Sequence, residues 1–234
     1  MKKSPGPGPS ESEKIRQEAF QEGLNRFSAQ LAHDVTSFVA LVRAQKFDDP
    51  RLERQIAYME KMVRKMRLFS APEPLRTRPI RINSLLEMTL DMFSVPENVE
   101  VIREFSDNLP EIEGDRKQLQ QAFVEILENA CQSIADAQGM GGNCIRIRTG
   151  FDGREIKIAI LDEGLGVPEE FRGRLFDPFF TTRKTQGSPG FGLAIARQII
   201  RAHGGEVVVE ESDEASTAVV VRVPVTENPN TDDE

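Results

Sequence analysis

The stretch from Ser70 to Pro79, SAPEPLRTRP, carries prolines at 72, 74 and 79 and ends any helix that enters it. The segments on its two sides must therefore fold as separate elements. On the N-terminal side, Phe20, Leu24, Phe27, Leu31, Val35, Phe38 and Val42 recur at steps of four and three, and Leu52, Ile56, Met59, Val63 and Met66 do the same. KFDDP, Lys46 to Pro50, supplies the turn between them. The expectation is a helical hairpin with an apolar stripe on each arm. Two helices cannot bury two such stripes alone, so a second copy of the chain completes a four-helix bundle.

On the C-terminal side the pattern is mixed. PIRIN reads as a strand and SLLEMTLDMF as a helix capped by Asn83 or Ser84. VEVIREF is a further strand. A long helix runs from about Asp115 to Gln138, with Leu119, Phe123, Ile126, Leu127, Ala130 and Ile134 on one face. CIRIRTG and EIKIAILD flank Asp152-Gly153, a hairpin signal. A helix through FGLAIARQIIRAHGG stops at Gly204, and EVVVEE and TAVVVRVPV close the fold as strands. Helices on one mostly antiparallel sheet make an α/β sandwich, so the fold class is α+β. The expected organisation is a disordered lead over 1–12, the hairpin over 13–72, the sandwich over 73–226 and a disordered tail over 227–234.

Composition narrows the function classes. A net charge of −8 disfavours a general nucleic-acid binder, which needs a basic face. No apolar run is long enough for a membrane span, and the polar N-terminus lacks a signal-peptide core. Cys131 and Cys144 form neither a disulfide framework nor a zinc spacing and read as buried thiols. A cytoplasmic protein is the expectation.

The phosphate-binding P-loop pattern does not occur, but two other glycine clusters do. LDEGLGVP, Leu161 to Pro168, ends a strand, and GSPGFGLAIA, Gly187 to Ala196, opens a helix. Glycines at a helix start let backbone amides reach an anion, with the helix dipole assisting. Between the clusters stands FDPFFTTRKTQ, Phe176 to Gln186, whose aromatic anchors, threonines and adjacent cations suit a loop closing over phosphates.

In that order, EILENA (Glu125 to Ala130), DEGLG (Asp162 to Gly166), FDPFFTTR (Phe176 to Arg183) and GFGLAI (Gly190 to Ile195) resemble the four nucleotide-binding boxes of the histidine-kinase ATP-binding domain. This is a GHKL-group domain of Bergerat type, and the short third-to-fourth box spacing is similar to the nitrogen-regulation-type kinases. The resemblance implies ATP and Mg²⁺. Asn129 would be the Mg²⁺ ligand, and Glu125 would hold a metal-bound water or assist proton transfer. It further implies that Asp162 accepts from the adenine amino group and that Gly164 and Gly166 let the backbone approach the base. Phe176, Phe179 and Phe180 would anchor the lid. Thr182, Arg183 and Lys184 would approach the phosphates, while Gly190, Phe191, Gly192 and Leu193 would present the helix start to them. Ser133 stands where many members carry a larger polar residue.

The hairpin then takes on meaning. With about 100° per residue, His33 falls opposite the apolar stripe, on the wet side. LAHDV resembles the family's phosphoacceptor box, in which an exposed histidine followed by an acid accepts phosphate from ATP. Neutral imidazole is a good nucleophile near pH 7, and Asp34 is the candidate base or orienting partner. The family's usual Asn-Pro is replaced here by Ser37-Phe38, so no proline kinks the helix. Ser37 occupies the place where many members carry a water-orienting Thr or Asn for partner dephosphorylation. His203, before two glycines at a helix end, reads as a capping or surface residue.

The resulting expectation is a soluble, homodimeric two-component histidine kinase. It would phosphorylate His33 and pass the group to an aspartate of a response-regulator receiver domain, with an upstream sensor supplying the signal. Two alternatives stay open: a kinase-like phosphotransfer hub with weak ATP turnover, and a GHKL-group ATPase or protein serine kinase.

Overall fold

The computed structural model describes residues 11–44, 49–137, 139–182, 190–212 and 214–225. The sequence assignments at 1–10, 45–48 and 226–234, and those of Arg183 and Lys184, lie outside the described residues. Two compact units divide the chain, the first ending at Glu73 and the second starting at Pro74.

In the first unit, α1 (Glu11–Ala44) packs on α2 (Pro50–Ser70). Asp49 caps α2 by accepting from the Arg51 N–H, and Pro50 takes the first turn, where a missing N–H costs nothing. Arg43 pairs with Glu60 at 3.0 Å, and Arg67 donates to Thr36 at 3.0 Å, which fixes an antiparallel hairpin.

The expected single stripe of α1 divides in two. Ser28, Ala32 and Val39 are buried, whereas Phe27 is 59%, Phe38 56% and Leu41 68% exposed. The small Ser28 and Ala32 let the arms approach closely, which displaces the bulky phenylalanines to the neighbouring side. On α2, Ile56, Val63, Met66 and Phe69 are buried.

In the second unit, strands β2 (Glu100–Glu104), β4 (Cys144–Phe151), β5 (Glu155–Asp162), β6 (Glu206–Glu210) and β7 (Thr217–Pro224) form one sheet in the order β2-β4-β5-β7-β6. The pairing of β2 with β4 is parallel and the others are antiparallel, so the sheet is mixed. A separate antiparallel pair joins β1 (Arg78–Ile80) to β3 (Ile112–Gly114).

Period-2 alternation places Ile147, Ile160, Ile158, Val221 and Val207 on one face, where they are buried. That face belongs to a core shared with α3 (Ile82–Met92), α4 (Arg116–Asp136) and α6 (Gly192–Ala202). The opposite face carries Arg146 and Arg148, which both pair with Glu104 and Glu214.

The expected side-chain cap of α3 is corrected. The helix starts at Ile82, with Arg81 as N-cap and no side-chain cap bond. Asn83 instead donates to the Ser106 carbonyl at 2.8 Å and accepts from Thr149 at 3.0 Å, which ties α3 to the sheet. At the β4–β5 turn, Asp152 accepts from the N–H groups of Arg154 and Glu155, and Gly153 takes a φ of 94°.

Candidate functional site

The long helix α4 sets the frame. Asp115 caps it, accepting from the N–H groups of Lys117, Gln118 and Arg76. Burial pushes the Asp115 carboxyl up, but these backbone donors outweigh it and hold the group below its ordinary range. His203, the C-cap of α6, donates from Nδ1 to the Ile199 carbonyl at 2.8 Å and accepts at Nε2 from the Asp115 N–H at 2.9 Å. The neutral ring with its proton on Nδ1 satisfies both bonds. His203 thus holds the start of α4 to the end of α6.

Along α4, Glu125, Asn129 and Ser133 stand at successive turns. Glu125 is buried and accepts from Gln121 at 2.8 Å, while Asn129 is half-buried. Ser133 is buried against the first glycine turn: a Cβ on Gly164 would overlap its hydroxyl and its carbonyl carbon. The Leu165 N–H reaches the Ser133 carbonyl at 3.4 Å. A glycine at 164 is therefore a packing requirement of that turn, set by the backbone of α4, which the sequence pattern alone does not disclose.

Asp162 ends β5 almost fully buried, and its carboxylate accepts from the Gly164 N–H at 3.1 Å. Gly166 takes a φ of 75° against the Ser216 carbonyl. Burial, and then the Asp162 charge, push the Cys131 thiol up to about 11. Gly141 and Gly142 press on Glu163, whose carboxylate accepts from the Cys144 N–H at 3.3 Å. Sequence reasoning gives these two glycines no role; their one signal is the Gly-Gly pair after a helix end.

The aromatic segment and the second glycine cluster meet directly. Gly190 has a φ of 71°, and a Cβ there would stand 2.6 Å from the Phe179 carbonyl carbon and 2.7 Å from the Phe180 oxygen. Phe179 holds a left-handed φ of 64° and packs edge-on against the buried Phe191, their centroids 4.6 Å apart. Phe176 is buried under Arg197, which also reaches Asp177 at 3.7 Å. Phe180 lies beneath Arg174 and beside Phe171. Thr182 is exposed at the last described position before 183–189. Gly192 and Leu193 begin α6, whose start has no side-chain cap bond.

On α1, His33 is exposed, and its Nδ1 stands 3.3 Å from the Asp34 carboxylate. Gln30 donates to the same Asp34 oxygen at 3.0 Å. Ser37 spends its hydroxyl on the His33 carbonyl at 3.1 Å. Among the described residues, no group of three His, Cys, Asp or Glu side chains is placed to hold a metal ion. No helix among them is long and apolar enough to cross a membrane.

Residues 114–227 match the family described as histidine kinase-, DNA gyrase B-, and HSP90-like ATPase. The match falls within the second unit.

The likeness to known proteins extends beyond those residues. Over 203 residues the chain is 32% identical to the signal transduction histidine-protein kinase AtoS of Escherichia coli (strain K12), covering 80% of this chain and 32% of AtoS. Over 240 residues it is 28% identical to the sensory histidine kinase/phosphatase NtrB of Rhizobium leguminosarum bv. phaseoli, covering 92% of this chain and 62% of NtrB. The chain thus spans a third to under two thirds of the length of these relatives. The solved structure of histidine kinase ThkA in complex with response regulator protein TrrA superposes with a TM-score of 0.64 over 94% of this chain and 68% of that chain, at 22% identity. That last likeness speaks to the fold alone, across both units.

Proposed function

We propose that the chain is a homodimeric, cytoplasmic protein-histidine kinase that phosphorylates His33 from Mg-ATP and passes the group to an aspartate of a response-regulator receiver domain. One observation carries the reading. The same chain holds an ATPase-family unit and a solvent-facing imidazole whose Nδ1 stands beside a carboxylate. The likeness to NtrB and AtoS over most of the chain supports it, as does the regulator-bound ThkA structure.

In this mechanism Asp34 keeps the proton on Nδ1 of His33, leaving the Nε2 lone pair to attack the γ-phosphorus. An Nε2–P bond forms, the P–O bond to the β-phosphate breaks, and ADP leaves. Asp34 stabilises the positive charge that develops on the ring. Asp162 receives the adenine amino group, and the glycine turns at 164 and 166 bring the backbone to the base. Gly190 to Leu193 present the start of α6 to the phosphates, where N–H groups without a side-chain cap favour an anion. Thr182 and, outside the described residues, Arg183 and Lys184 are the candidates for further phosphate contacts.

The Asn129 amide oxygen and the Glu125 carboxylate are hard donors suited to Mg²⁺, which takes few protein ligands when it shares phosphate oxygens. When bound, the ion offsets charge on the triphosphate. Phe27, Phe38 and Leu41 form the apolar side on which a second copy completes the bundle. Ser37 is the candidate for orienting water during partner dephosphorylation.

The test is a chase. Protein labelled from γ-labelled Mg-ATP is freed of nucleotide and given receiver domains. The label should leave the chain and appear on a receiver aspartate. Label that stays on the chain with every receiver tried contradicts the transfer step.

A further inference from the structure

We infer that Arg67 is a positioning residue for the phosphoryl group carried by His33; the inference rests on that residue being the acceptor. His33 and Thr36 are three apart on α1 and so share one side of the helix. Thr36 donates its hydroxyl proton to the Ala32 carbonyl at 2.6 Å, and its oxygen then accepts from Arg67 Nη2 at 3.0 Å. A guanidinium from the last turn of α2 is thereby held beside the acceptor face of α1.

Among the described residues its charge is not otherwise used. Arg26 and Arg43 in the same hairpin pair with Glu22 and Glu60, whereas among the described residues Arg67 meets no carboxylate at ion-pair distance. One neutral hydroxyl occupies a small part of its five-donor fork, and the remainder matches phosphate oxygens. A lysine would offer a point charge without that fork.

The contact makes and breaks no bond itself. When the group departs, a carboxylate oxygen–phosphorus bond forms and the Nε2–P bond breaks. Nε2 keeps the electron pair, and the ring is left neutral with its proton on Nδ1. Arg67 holds the phosphoryl oxygens through this exchange and lowers the repulsion that an approaching carboxylate meets.

The full chain is treated with potassium phosphoramidate, which phosphorylates exposed imidazole and releases ammonia, so that ATP is not needed. The ³¹P signal lost in His33→Gln is then titrated by pH. Removal of a paired cation in Arg67→Ala should raise the midpoint of that signal by roughly half a pH unit at low salt. Arg67→Lys should recover part of the difference. Equal midpoints in wild type and Arg67→Ala overturn the inference, and so does a failure of the reagent to modify His33. If the midpoint depends on Arg67 while Mg-ATP never labels His33, the kinase reading falls and this one stands. If Mg-ATP labels His33 and the midpoint ignores Arg67, this one falls alone.

Discussion

Gly164 lies against Ser133 so closely that a Cβ on the glycine would overlap the serine hydroxyl and stand 2.7 Å from the Ile134 nitrogen. The obstructing atoms include α4 backbone, which cannot retreat without moving the helix that carries Glu125 and Asn129. Gly164→Ala should therefore weaken ATP binding by about tenfold or more, a loss near 1.4 kcal/mol or above. Calorimetric titration with ATP measures this, beside a circular-dichroism control for folding. Unchanged affinity would show that the turn does not position the nucleotide.

The two faces of α1 make separate predictions. Phe27 and Phe38 are exposed in the isolated chain, and burying each in an interface is worth about 1.5–3 kcal/mol. The double variant Phe27→Glu/Phe38→Glu should turn a light-scattering dimer into a monomer at micromolar concentration while its helix content persists. A wild-type protein that is already monomeric there contradicts the bundle.

Cys131 offers a probe of the buried Asp162 carboxylate. Its thiol is pushed up to about 11, by burial first and the Asp162 charge second. It should stay protonated at pH 8 and react slowly with iodoacetamide. Asp162→Asn removes the negative charge, lowers the thiol's ionisation midpoint and should speed alkylation. Equal rates in the two proteins would remove Asp162 from the neighbourhood of that sulfur.

Asp115 predicts an acid limb. Its carboxyl ionises at lower pH in the folded than in the unfolded chain, because backbone N–H donors outweigh burial. Its stabilisation is therefore complete above the unfolded value of about 4 and is lost as pH falls through the lower folded value. Asp115→Asn should show a flatter loss of stability below pH 4 than wild type, and Asp115→Ala should cost about 1–2 kcal/mol at neutral pH. Identical acid slopes for wild type and Asp115→Asn would contradict the cap.

Much of the fold is legible in the sequence because period and residue type agree. The buried face of α4 and the Asp152-Gly153 turn come from spacing and turn chemistry alone. Other features are hidden for physical reasons. β3 is only Ile112–Gly114, too short to alternate, and α5 (Glu169–Arg172) is a single turn with no buried residue. The parallel direction of β2 depends on long-range pairing. The division of α1 into two apolar sides is invisible in the pattern because the small Ser28 and Ala32 are fully buried while Phe27 and Phe38 stay exposed. The Gly164–Ser133 contact joins residues far apart in sequence, and no local pattern announces it.

The most direct measurement is acid-labile labelling by γ-labelled Mg-ATP in wild type, His33→Gln and Asn129→Ala. Wild type should take up label that survives base, is lost in acid and maps to the peptide containing His33, and both variants should remain unlabelled. Acid-stable label that persists in His33→Gln would contradict the assignment of His33 as the acceptor.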